Sequence, residues 1–280
     1  MKSSLIYSMA IMLFFLLIPQ SLYAKPSASM KFTTIREENP KMAKETLILP
    51  YAFPSDSLGT TLGVGGLAKG YGQDQLLVAG SAWGSFDDAV GVVLGLWDYK
   101  LPATNRFFFT ILGSAGDYPR QRAYTIPGLK GQDGSPGSND SDKDDYLETS
   151  GEDNWWEMKV EYVLPIGGMK NDGMANYKLK RGMLVSGASG GKEWNPLTSG
   201  ATVVVLKNFN RYQEFESDKG DLDGTMHPLE FGVLYNNTDF SSNPSEGSSQ
   251  YLSVTHDFGW LESPETWTFW EFEGSKYFSL

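Results

Sequence analysis

The stretch WWEMKVEYVLPIG, residues 155–167, decides the fold. Its large apolar residues, Trp156, Met158, Val160, Tyr162 and Leu164, fall on every second position, with Glu157, Lys159 and Glu161 between them. A period of two marks a strand with two unlike faces. In a soluble sandwich the apolar face meets a core. In a membrane barrel it meets lipid, and the charged face meets a wet lumen. The surrounding sequence has to choose between the two.

Working outward, the same alternation returns in about ten segments of roughly 10–14 residues, the length of a tilted membrane strand plus its ends. They fall near 59–69, 75–84, 88–100, 106–117, 155–165, 176–189, 200–215, 229–239, 248–259 and 266–278. Strands of soluble proteins are shorter, about 5–6 residues. Several connections are tight: SFDDA after Gly84, LPATN after Lys100, SPET after Glu262. The connection from Asp117 to Asn154 is long and polar, which is unusual inside a compact soluble domain. Long loops on one side and short turns on the other are normal for bacterial barrels. If LPATN is a short inner turn, the long connection lies outside the cell.

The N-terminus sets the compartment. Lys2, an apolar run from Ile11 to Ile18, Pro19 and then QSLYAKP read as a secretory signal over residues 1–24, cut between Ala24 and Lys25. Residues 25–47 are a mixed, polar lead segment in the periplasm, and the barrel domain is expected over 48–280. The chain has no Cys, which removes a disulfide framework, Cys metal sites and Cys nucleophiles. It holds 31 Gly, 8 Trp, 14 Tyr and 16 Phe, a Gly- and aromatic-rich profile that suits an exported barrel. The net charge of −11 argues against nucleic acid as a partner.

The aromatics gather at segment ends: Trp83 and Phe86, Trp97 and Tyr99, Phe107 to Phe109, Trp155 and Trp156, Trp260, Trp267 and Trp270. Amphipathic rings sit well at headgroup level. The opening stretch therefore reads with Met158, Val160, Tyr162 and Leu164 toward lipid, and Glu157, Lys159 and Glu161 toward the lumen. Trp155 and Trp156 straddle the interface.

Several stretches resemble the C-terminal barrel of the BamA/TamA outer-membrane assembly family, also called the bacterial surface antigen family. LPYAFPSDSLGTTLGVGG, Leu49 to Gly66, resembles the family's lead into its first barrel strand. NRFFFTILGSAGDYP and WWEMKVEYVLPIG resemble successive barrel strands. NPSEGSSQYLSVTHDFGWL, Asn243 to Leu261, resembles the family's Asn-Pro-x-x-Gly turn and following strand, and WTFWEFEGSKYFSL the strand after that. The resemblance spans roughly residues 48–280. It implies a sixteen-stranded barrel that inserts or transports proteins across the outer membrane. There is no room for periplasmic POTRA modules. The family's Val/Ile-Arg-Gly-Phe/Tyr motif is also missing, and Arg181-Gly182 is expected inside a strand. With about ten segments, the chain reads as a truncated member, an incomplete part of a sixteen-stranded barrel. Its edges are expected near 59–69 and 266–278, poorly paired, and transport activity is doubtful on that ground.

Candidate chemical sites are few. The two histidines are His227 and His256, and His-dependent hydrolysis would have to use one of them. His256-Asp257 resembles the His-Asp pair of outer-membrane phospholipases, but Phe-Gly follows where Ser-Asn-Gly should. KGDLDGTMHPLE, Lys219 to Glu230, places Asp221, Asp223, Gly224 and Glu230 at calcium-loop positions. Lys219 occupies the first ligand position, where Asp218 is the nearest substitute, so a plain polar hairpin loop is the expectation. The acidic run Asp133, Asp140, Asp142, Asp144, Asp145, Glu148, Glu152 and Asp153 reads as solvated loop, with weak divalent binding near lipopolysaccharide as the alternative. Glu271 and Glu273 lie two apart on one strand face, the arrangement of a lumen wall and not of a glycosidase pair across a cleft.

The sequence thus leads to an all-β, antiparallel transmembrane β-barrel of about ten strands in the cell outer membrane. It is read as non-enzymatic, with no catalytic, cofactor-binding or metal residue assigned. The partners expected are outer-membrane lipid and lipopolysaccharide, with a client protein or a separate chain completing the barrel. The alternative is a secreted soluble β-rich protein that binds or cleaves glycans.

Overall fold

The computed structural model describes residues 28–36, 44–123, 146–186, 190–191, 193–216 and 222–279. The signal-peptide expectation, and Asp133 to Asp145 of the acidic run, lie outside them. The described chain is all-β: β1 (Phe32–Arg36), β2 (Glu45–Ser55), β3 (Gly59–Lys69), β4 (Leu77–Ser85), β5 (Val90–Lys100), β6 (Phe107–Ala123), β7 (Leu147–Val163), β8 (Ala175–Lys180), β9 (Met183–Leu184), β10 (Ala201–Phe215), β11 (Leu222–Met226), β12 (Leu229–Asn236), β13 (Gly247–Phe258) and β14 (Thr266–Tyr277). A 3-10 turn at Gly167–Met169 follows β7.

Eleven strands form one antiparallel sheet, hydrogen-bonded in the order β14-β13-β12-β10-β7-β6-β5-β4-β3-β2, with β11 continuing the β12 column along β10. The order is sequential wherever a tight turn joins neighbours, as hairpin geometry requires. β2 and β14 are the two edges. They are not hydrogen-bonded to each other, so the sheet is open and not closed into a barrel. The N-terminal edge is therefore Glu45–Ser55, one strand earlier than the expected 59–69. Pro50 and Pro54 disguise β2 in the sequence, but an edge strand tolerates a missing N–H on its free side.

The segment expected as a sixth barrel strand, 176–189, is not in this sheet. β8 and β9 form a separate small sheet in which β1 pairs parallel with β8. Arg181 and Gly182 lie at the β8–β9 turn with φ of 49° and 81°, and not inside a strand. Left-handed backbone of this kind is what a tight reversal needs.

This small sheet fills the inner side of the large one. Tyr177, Ala175, Ala28, Met30 and Met169 form one buried cluster with Phe108 of β6, Val163 of β7, Val203 and Val205 of β10, Leu234 of β12 and Tyr251 of β13. One cluster can touch so many successive strands only if the sheet wraps around it. The lead segment packs into this core: Ala28, Met30, Lys31 and Thr33 are all buried.

The connections also depart from expectation. β6 and β7 remain paired out to Ala123 and Leu147, so their connection is shorter than Asp117 to Asn154. The connection 164–200, at the same end as LPATN, is the longest, and it carries the 3-10 turn, β8 and β9. Long and short connections are therefore not segregated by side.

Candidate functional site

The outer face comes from strict register. Starting from Met158, Val160 and Tyr162 of β7, the cross-strand partners are Ile111, Phe109 and Phe107 on β6, and Asn208, Leu206 and Val204 on β10. The same face continues through Leu94 and Val92 of β5, Ala82 and Val78 of β4, and Val64 and Leu62 of β3. On the other side it continues through Phe231 and Val233 of β12, Leu252 and Val254 of β13, and Phe272 and Trp270 of β14. These side chains point away from the core. Leu94 is 63% exposed, Phe231 53% and Trp270 68%. A contiguous apolar surface across nine strands is larger than the few hundred Å² that soluble monomers usually show.

Midway along this face and at the His227 end its polar members are satisfied, whereas at the other end the Thr202, Tyr235 and Ser248 hydroxyls are buried without a hydrogen-bond partner among the described residues. Asn208 Nδ2 donates to the Pro228 carbonyl, Asn210 Nδ2 reaches His227, and His256 Nδ1 meets Thr268 Oγ1 at 2.8 Å. Charges enter the outer register only toward the strand ends, as at Asp117, Glu152 and Lys276. The expected partition of residues 157–162 is observed as burial: Met158 is outward and 43% exposed, while Glu161 is fully buried on the inner side. Trp155 and Trp156 divide between the faces. Trp156 joins the outer register, and Trp155 turns inward onto Phe209 at 6.3 Å.

The inner face holds a charge network. Lys31 Nζ donates to Asp98 Oδ1 at 2.5 Å, to Glu161 Oε2 at 2.6 Å and to Ser29 Oγ at 3.1 Å. Glu161 Oε1 also accepts the Ser29 backbone N–H, and Lys159 approaches Glu161 to 3.5 Å. A second knot lies one strand over. Lys207 Nζ sits 2.5 Å from Glu230, and the Tyr251 hydroxyl donates to the same carboxylate. Burial tends to lower the pKa of Lys31, but the charges of Glu161 and Asp98 outweigh it and hold the ammonium above the ordinary lysine value. Unpaired, such a buried charge would be very costly; here it has two counter-charges and three hydrogen-bond acceptors.

Backbone strain marks the same place. Register shifts between Leu96 and Tyr99, and Asp98 lies at that β-bulge with φ of 60°. A bulge re-aims a side chain; this one sends Asp98 toward Lys31. The Asp98 N–H bonds Thr110 Oγ1, and Gln75 donates to the Asp98 carbonyl. The sequence pointed to Lys159 and Glu161, but not to Lys31 or Asp98. The only signal for Lys31 was its place between Met30 and Phe32.

The candidate chemical residues do not converge. His256 is on the outer register and Asp257 on the inner one, so the pair diverges. Asp257 is buried and caps the turn, accepting from the His227 N–H, the Gly259 N–H and Ser263 Oγ. The calcium-loop pattern is broken: Asp223 and Gly224 belong to β11, and Glu230 is inside, on Lys207; Asp218, Lys219 and Asp221 lie outside the described residues. Among the described residues no group of three or more His, Asp or Glu could hold a metal ion. Of the acidic run, Glu148 pairs with Arg122 and Asp153 with Arg211, within strands and not in a solvated loop. Glu271 and Glu273 sit on the inner register of β14, with Ser253 beside Glu271. No protein-family model, no curated protein and no solved structure matches this chain.

Proposed function

We propose that this chain is a non-enzymatic outer-membrane β-barrel protein, resembling the BamA/TamA assembly type, with lipid against its outer face. The observation that carries this reading is the outer register itself. Nine strands present apolar, exposed side chains, and the charged network is on the other side. Water would penalise such a surface. A bilayer core removes the penalty, provided that every backbone group finds a partner.

That proviso defines the role of the edges. β2 and β14 run in opposite directions, and among the described residues each has one side without a strand partner. In lipid each unsatisfied backbone group costs several kcal/mol, so the edges have to be completed by each other, by a client strand or by a separate chain. Strand addition to such an edge is a known mode of recognition. The test is membrane fractionation of the expressed full chain. It is expected to stay with outer membranes after an alkaline carbonate wash and to be released by detergent. Recovery in the periplasm or medium without detergent would overturn the reading in favour of the secreted glycan-binding alternative.

A further inference from the structure

The buried N-terminal strand has the contacts of a ligand. β1 adds to the edge of β8 in parallel register, Phe32 opposite Ala175 through Arg36 opposite Leu179. Its side chains are read individually: the Tyr177 hydroxyl donates to Met30 Sδ, Phe32 packs on the Tyr177 ring at 5.5 Å, and Thr33 Oγ1 donates to Asn176 Oδ1 at 2.7 Å. The Lys31 ammonium ends between Asp98 and Glu161. Backbone pairing with pockets for individual side chains is how β-augmentation sites take an extended peptide.

The receiving half is held independently of the strand. Asp98 is fixed by its bulge, by Thr110 and by Gln75, and Glu161 has Lys159 as a second counter-charge. The strained φ at Asp98 therefore belongs to the site and not to its occupant, as expected where a carboxylate is pre-positioned for a ligand. We propose that the inner face carries a binding site for an extended, lysine-bearing peptide segment, and that residues 28–36 occupy it in cis. A peptide of the same chemistry exchanges with this strand. The proposal rests on the inner face alone, so it is tested in detergent whatever fractionation shows.

The absence of Cys makes the test direct. In the full chain, Met30→Cys provides a single buried thiol, and its maleimide labelling rate reports withdrawal of the strand. Adding Lys31→Glu places a third carboxylate among two and is expected to raise that rate about tenfold or more. The same Lys31→Glu chain is expected to bind a fluorescent peptide of sequence ASMKFTTIR at least about tenfold more tightly than the unsubstituted chain. A peptide with Glu in place of its Lys is expected not to bind. Unchanged labelling, or release of the strand without peptide binding, would overturn the proposal. Should Lys31→Glu fail to fold, the pair Thr33→Cys and Asn176→Cys serves instead, at Cα partners in register. Reduced, this variant is expected to exchange with excess peptide, and oxidised it is not. Equal binding in both states, or none in either, would equally overturn it.

Discussion

On β3–β5 the inner face is built from rings laid on glycine: Tyr51 covers Gly63, Trp83 covers Gly91, and Trp97 covers Gly95. Across the same strands lies an open hollow of about 860 Å³ lined from both registers, with Leu67, Ala79 and Leu112 of the inner one and Val78, Leu94 and Ile111 of the outer one. On β7–β13 the inner face instead carries Glu157, Lys159, Glu161, Lys207 and Glu230, covered by the lead segment and β8. The outer faces of the two halves are alike. The period-two signal is thus the same in both, while the inner partners differ in kind. The first half curves around small residues and aromatic rings. The second is held by desolvated charges and a filled core.

The sharpest way to break this comparison is to remove one charge from the second half. Glu161→Gln leaves the buried Lys31 with Asp98 as its counter-charge and Ser29 as a neutral acceptor. It is expected to cost about 3–5 kcal/mol, the range for breaking a buried ion pair. The counterpart in the first half is Ser81→Ala, which removes the 2.7 Å bond to the Tyr51 hydroxyl. A single partly exposed hydrogen bond is worth about 1 kcal/mol. Urea unfolding of the full chain in detergent measures both. Equal losses would mean that the two halves do not differ in how they are held.

How much of this was legible in sequence follows the same divide. Alternation located nine strands of the large sheet to within a few residues, apart from the far ends of β6 and β7, and it separated the two faces of β7, although the charged face, expected to be wet, buries Glu161 fully. It could not distinguish β8 from a wall strand. Ala175 and Tyr177 are buried while Asn176 and Lys178 are exposed, so β8 alternates like its neighbours. Periodicity reports which face is buried, and not against what. Lys31 was illegible for a related reason. Its partners lie 67 and 130 residues away, and one of them depends on a bulge that no local pattern announces. β2 was missed because prolines usually argue against a strand, and only its edge position admits them.

The outer faces give the second prediction, which sharpens the comparison by testing where the halves should agree. Val160→Arg in the second half and Val92→Arg in the first are each expected to cost about 2–4 kcal/mol of stability in a bilayer if they lie near its midplane. Lys159→Arg, on the inner face next to Val160, is expected to be nearly neutral. Folding equilibria in lipid vesicles measure all three. A loss at Val160 without one at Val92 would mean that only half of the sheet meets lipid. Equal tolerance at Val160 and Lys159 would overturn the assignment of faces.

The smallest effect expected is a pH dependence confined to the second half. The folded pKa of Lys31 is raised above its ordinary value of 10.5 by Glu161 and Asp98, against the opposing effect of burial. Below that ordinary value the ammonium is present in both states, and its contribution to stability is complete. As pH rises past it, the unfolded chain loses the proton first. The unfolded state then binds fewer protons than the folded one, so stability falls with pH until the folded group also titrates. The slope from one site is at most about 1.4 kcal/mol per pH unit. Other lysines and tyrosines titrate in the same range, so the informative quantity is the difference between the unsubstituted chain and Lys31→Met. That difference is expected to be constant up to about pH 10 and to shrink above it. The labelling rate of a thiol at position 30 should rise over the same interval, while a thiol replacing Ser81 on the first half should show only the titration of the thiol itself. A stability difference that stays constant from pH 8 to pH 12 would mean that the ammonium of Lys31 does not hold the lead segment in place.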